Sequence, residues 1–350
     1  MTSIDRVRRT IRGEAVDHLP FQPMAMMFSA RHAGIPFIDY TKDGRKMAEA
    51  QLKLVADFGL DCLLTCSDPA REVIDIAGDG SVDWFTDQGP AINEDRAALA
   101  DKLRLRTFKV PDPLNGGRMH DRVKSIEIMR REAGPGMSIV GWIEGPLALA
   151  AELRGLNTIM LDFGDDPDFA HDLLRFCADV AIAYAPAQIT AGADTIGMSD
   201  AAAGLIGPVL YEEFLWAEQK RVFDTIKRNH PGVLLRQHMC GRIDRLYPKA
   251  AQLPVDIYEI DFPANLALAR EQLGPTRTLA GNVSTITDLL EGTPEKVYEA
   301  CRRCHETCGQ YFIVGAGCEI SPNTPPENLR AMQAYAREHK PGDFGKRQTG

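Results

Sequence analysis

The chain alternates short β-prone runs with longer amphipathic stretches, and it does so eight times. The runs are LPFQPM (19–24), LDCLLTC (60–66), SIVGWIEG (138–145), ADTIGMSD (193–200), GVLLRQHMC (232–240), VDIYEID (255–261), RTLAGNV (277–283) and QYFIVGAGC (310–318). Strands separated by helix-length connections return parallel to one another, so the pattern predicts βα units. Eight such units in 350 residues predict an α/β fold of the closed (β/α)8 TIM barrel type rather than an open doubly wound sheet.

Local chemistry supports two of the helices. In GTPEKVYEACRRCHETCG (292–309), Thr293 can cap, Pro294 fits a first turn that needs no N–H, and Gly309 can supply a left-handed stop. In NTPPENLRAMQAYAREH (323–339), Thr324 and Glu327 have capping-box spacing. The stretch 67–137, too long for one βα loop, reads as an insertion after the second strand, with DGSVDWFTDQG as a small hairpin. The organisation expected is one barrel domain over 1–340 and a tail over 341–350.

A net charge of −9 and a pI near 5.5 provide no basic field for a phosphate backbone, which argues against nucleic acid as a partner. The opening MTSIDRVRRTIRGE is charged throughout, unlike a signal peptide, and no window reaches the roughly 18 apolar residues of a membrane span. A cytoplasmic protein without membrane contact is expected. In a reducing compartment its eight cysteines are expected as buried small side chains or metal ligands. Cys301, Cys304 and Cys308, spaced as a helical stripe, read as packing residues.

A barrel of this kind does its chemistry at the carboxyl ends of its strands. Glu144, Asp200, His238, Cys240, Asp261, Asn282 and Cys318 all fall at or just past such ends. His238, Cys240 and Cys318 make three soft or borderline ligands, the number expected of a catalytic zinc that keeps one position open. The competing reading is a core histidine with two buried cysteines and no metal. Glu144, Asp200 and Asp261 are candidate catalytic residues, and Asn282, Arg31 and His32 candidate substrate contacts. Against these stand helix capping for Asp200, Asp261 and Asn282, and a solvated rim for Arg31 and His32, as for Arg242 and Arg245. Met24, Met26 and Met27 read first as core, second as an apolar contact for a corrin ring.

The motif H-M-C-G at 238–241 with G-C-E at 317–319 resembles the zinc signature of the cobalamin-linked methyltransferases in the uroporphyrinogen decarboxylase superfamily, such as the methanol and methylamine:coenzyme M enzymes. The likeness extends to RVRRTIRGEAVDHLPFQP (6–23), GPLALAAELRG (145–155), FLWAEQKR (214–221), GN (281–282) and TPPENLRAM (324–332). It implies a (β/α)8 barrel with zinc on His238, Cys240 and Cys318. It implies methyl transfer between a corrinoid (methylcobalamin), supplied by a partner corrinoid protein, and a small-molecule thiol or methylated substrate. The decarboxylase branch is the alternative: a metal-free lyase whose arginines bind a porphyrinogen. Its arginine motif is missing from MAMMFSARHAGI (24–35). A zinc- or corrinoid-binding barrel without catalysis is a third reading, and a homodimer is one possible assembly.

Overall fold

The computed structural model describes residues 1–66 and 68–344. Residues 345–350, most of the expected tail, lie outside the described residues. The strands are β1 (Leu63–Leu64), β2 (Val82–Asp83), β3 (Ala91–Ile92), β4 (Ile139–Glu144), β5 (Thr195–Ser199), β6 (Leu234–Met239), β7 (Ile257–Ile260), β8 (Thr278–Gly281) and β9 (Phe312–Ile313). Seven form one parallel sheet in the order β1-β4-β5-β6-β7-β8-β9. The others, β2 and β3, form the antiparallel hairpin expected near residue 85.

Segment 19–24 closes the ring, but not as a full strand. Phe21 bridges in parallel to Val314, Gln22 N donates to Val314 O (2.9 Å), and Asp61 N donates to Phe21 O (2.7 Å). Pro20 and Pro23 supply no N–H, so a continuous ladder cannot form and one bridge remains. The eighth stave is thus a proline-limited contact between β9 and β1, and the architecture is the (β/α)8 barrel that the alternation predicts.

Helices follow the strands around the outside. Pro167–Ala191, Trp216–Asn229 and Pro294–Cys308 are long, whereas Tyr247–Ala250 is a single turn. Within 68–137, a short helix (Ala70–Ala77) and the hairpin precede the helix Arg118–Ala133, which packs among the outer helices beside Gly44–Phe58. Thr293 accepts from Lys296 N and Gly309 ends its helix at φ +66°, as the sequence implies. The last helix departs from expectation. It begins at Pro326 with Pro325 at the cap, so Thr324 lies one residue too early and its buried hydroxyl has no partner. Two consecutive prolines set that start, because the residue before a proline is pushed out of helical geometry.

The lumen is closed at the bottom. Val7 of the helix Ser3–Ile11 packs on Leu234, Ile257, Ala280 and Ile313, inward residues of four strands. Higher up, Met24, Cys62, Leu64, Cys66, Val140 and Trp142 fill the interior. Among the described residues the lumen opens toward the carboxyl-end mouth. No helix among the described residues is long and apolar enough to cross a membrane.

Candidate metal centre

Strand alternation decides what faces the mouth. Along β6, Leu234, Arg236 and His238 point inward, and β7 does the same with Ile257 and Glu259. His238 ends up buried with Nε2 3.2 Å from Cys240 Sγ and 3.7 Å from Cys318 Sγ. The ligand atoms of the three residues all lie within 4.8 Å of one another. A tetrahedral zinc with its usual Zn–N and Zn–S bonds needs N···S and S···S separations of about 3.6 and 3.8 Å. The donor set suits zinc, and the two N···S distances bracket the tetrahedral value. Its hydrogen bond with Cys240, and burial, hold the Cys318 thiol well above its ordinary pKa. A divalent cation between the sulfurs reverses that preference.

Backbone geometry aims the ligands. Gly241 turns the chain at φ +83°, and its N–H donates to Asp261 Oδ2 (2.6 Å), fixing the loop that carries Cys240. The glycine ahead of Cys318 serves close packing. A Cβ at Gly317 would meet Phe262 N at 2.3 Å, so the residue must be small for the Cys318 loop to pass the loop after β7. Glu319 then accepts from Met26 N (2.9 Å) and Met27 N (2.8 Å), tying that loop to the start of the helix Met27–Ala33.

The three ligands stand at one end of a cavity of about 440 Å³ that Met24, Met26, Trp142, Glu144, Glu152 and Glu319 also line. Among the described residues its walls carry five carboxyls (Asp68, Glu94, Glu144, Glu152, Glu319) and no lysine or arginine. Glu144 reaches this space from the end of β4 with an ion pair to Arg71 (3.3 Å); burial, then repulsion from Glu72, raises its pKa well above the usual range.

The other expected site residues go elsewhere. Asp200 is fully buried and accepts from Ala148 N (2.8 Å) and Gln219 Nε2 (2.9 Å), locking the helix Pro146–Arg154 to β5. Asp261 supports the Cys240 loop as described. Asn282 donates to Asp261 O and Ala264 O and accepts from Cys304 Sγ (3.7 Å). Arg31 lines a shallow cleft with Pro36 and Pro322, while His32 is 2.7 Å from Asp57 and stacks on Phe28. None of these five lines the metal cavity. Met24 and Met26 do, and Met27 does not. Cys301, Cys304 and Cys308 are buried in the main core, and all eight cysteines are free thiols. Asp200→Ala should lower stability by on the order of 3 kcal/mol, since two buried donors lose their acceptor, while zinc content stays the same. Urea unfolding with metal analysis checks this, and a loss of zinc would place Asp200 in the metal centre after all.

Sequence reasoning missed Glu259. It lies on β7 next to His238 in register, with Oε2 3.6 Å from His238 Nδ1. The same carboxylate pairs with buried Arg236, which in turn reaches Gln22 O (3.3 Å). A carboxylate behind a ligating imidazole fixes its tautomer and orientation.

Comparison with known proteins gives the family and supports the fold. Residues 2–339 match the family model described as uroporphyrinogen decarboxylase (URO-D). The chain belongs to that family. It is 26 % identical over 345 residues to a methylcobamide:CoM methyltransferase of Methanosarcina acetivorans, covering 97 % of this chain and 98 % of that protein. It is 30 % identical over 223 residues to a uroporphyrinogen decarboxylase of Nostoc punctiforme, covering 61 % of this chain and 62 % of that one. In fold it matches the solved structure of a methyltransferase from Methanosarcina mazei, with TM-score 0.87 and 23 % identity over 97 % of this chain and 99 % of the other.

Proposed function

We propose that the protein, a methyltransferase by its similarities, moves a methyl group between the corrinoid of a partner protein and a small thiol, using zinc held by His238, Cys240 and Cys318. The observation that carries this reading is the convergence of one imidazole and two sulfurs, their ligand atoms within 4.8 Å of one another, on the wall of an open cavity. Zinc there would stabilise a substrate thiol as its thiolate at neutral pH. The chain's own contribution is orientation: Glu259 stands 3.6 Å behind His238 Nδ1, Asp261 holds the Cys240 loop, and Met24, Met26 and Trp142 form the apolar side of the cavity. Transfer to the thiol forms an S–CH3 bond, breaks the methyl–cobalt bond with its electron pair left on cobalt, and gives the thiol proton to solvent.

The decarboxylase reading needs fixed cations for the many carboxylates of a porphyrinogen. A cavity lined by five carboxyls and, among the described residues, no lysine or arginine opposes it. X-ray absorption on zinc-loaded protein, with and without added 2-mercaptoethanol, tests the proposal. The expected spectrum has one nitrogen and two sulfurs, with a third sulfur appearing on addition of the thiol. An unchanged shell would mean a closed, structural site.

A further inference from the structure

The cavity reaches well past the metal ligands, and its far wall is carbon. Glu144, Ser199 and His238 stand side by side in register on β4, β5 and β6. The end of β4 is therefore two strand spacings, about 10 Å, from the ligating histidine, backbone to backbone. Above β4 and β5 the wall consists of Ala148 and Ala151, one turn apart on the helix Pro146–Arg154, with Ala202 and Leu205 of the turn Ala201–Leu205, Ile92 of β3, and Leu156. The alanines leave this space open. Leu205 is 65 % exposed, an apolar side chain at the mouth that a ligand with a carbon body would cover.

The carboxyls on the walls do not call for a charged ligand, because they are already answered. Asp68 grips Arg118 with both oxygens (2.7 and 2.8 Å), and Arg71 lies between Glu72 (2.9 Å) and Glu144 (3.3 Å). Glu94 accepts from Asn157 N (3.3 Å) and Nδ2 (3.1 Å), and Glu319 from Met26 N and Met27 N. Burial and repulsion from Asp68 and Glu72 push the Glu152 carboxyl up to about 8, which leaves it mostly protonated at neutral pH. An anionic tail such as a sulfonate finds no lysine or arginine in this lining among the described residues. Size points the same way. A cavity of about 440 Å³ is in the range that encloses drug-sized molecules, and a two-carbon thiol would leave most of it as water against carbon.

We propose that the substrate thiol carries an uncharged apolar body of several carbons, its sulfur at His238, Cys240 and Cys318 and its body against Ala148, Ala151, Ala202 and Leu205. This rests on the thiol reading above. The test is calorimetric titration of zinc-loaded protein with the neutral series 2-mercaptoethanol, 4-mercaptobutan-1-ol and 6-mercaptohexan-1-ol, and with 2-mercaptoethanesulfonate. Affinity should rise roughly fourfold for each methylene added, the change that burying one CH2 produces. The sulfonate should bind no more tightly than 2-mercaptoethanol. Ala151→Leu, which fills the space, and Leu205→Ala, which removes exposed wall without touching the core, should each flatten the rise. A flat series in the wild-type protein, tighter binding of the sulfonate, or a slope unchanged in both variants overturns the proposal alone. Failure of all four thiols to bind overturns the thiol reading and this inference with it.

Discussion

Cys318→Ala and Cys240→Ala should each purify with far less than one equivalent of zinc and without methyl transfer, yet with native circular dichroism. The reasoning is one of ligand count. Three protein ligands hold a catalytic zinc, and two leave an ion that dilution or a mild chelator strips away. The fold should survive because both sulfurs face the cavity rather than the main core, and both residues are only partly buried. Neither contributes to the inner packing of Met24, Cys62, Leu64, Cys66, Val140 and Trp142. Cys304→Ala is the matched control. It removes a thiol from the outer core, at a cost of about 1 kcal/mol or more in packing, and should leave zinc untouched. Metal analysis after gel filtration in a chelator separates the cases. Full zinc in Cys318→Ala would remove the metal assignment, and lost zinc in Cys304→Ala would show that the helix 294–308 takes part.

The sequence carried the barrel and the His–Cys–Cys cluster for one shared reason: strand periodicity fixes which residues face the lumen, and strand ends fix which reach the mouth. His238 and Cys318 lie 80 residues apart along the chain but meet on one rim, with Cys240 two residues from the histidine. Supporting residues were harder to read, because an Asp after a strand is equally suited to catalysis or to backbone capture. Asp200 and Asp261 turned out to accept backbone N–H groups, a choice made by tertiary approach of Ala148 and Gly241 that no local pattern encodes. Arg31 and His32, on the helix Met27–Ala33, line clefts beside Pro322 rather than the cavity that holds the cluster. The acid cluster was invisible for a different reason. Asp68, Arg71 and Glu72 belong to the stretch after β1, whose position over the cavity depends on long-range packing. Glu259 was legible and overlooked: in VDIYEID it alternates with Ile257 and Asp261, and in LLRQHM Arg236 alternates with His238. Opposite charges at inward positions of successive predicted strands signal a pair inside the lumen.

That pair gives the largest expected effect on stability. Glu259 and Arg236 are buried to 1 % and 2 % exposure, and the carboxylate pairs with the guanidinium and lies 3.6 Å from His238 Nδ1. Glu259→Ala leaves a buried cation without its counterion, which should cost about 3–5 kcal/mol and show as a lower urea midpoint. Glu259→Gln keeps the volume but removes the charge behind His238 Nδ1, so zinc affinity should fall roughly 10–100-fold. The two roles separate in the double variant Arg236→Met with Glu259→Leu. Replacing both charges with apolar groups removes the unpaired cation, so stability should recover much of what Glu259→Ala loses. Zinc affinity should stay weak, because nothing then orients the imidazole. Competition with a chromogenic chelator measures the affinity, and wild-type zinc binding in Glu259→Gln would show that the carboxylate serves Arg236 alone.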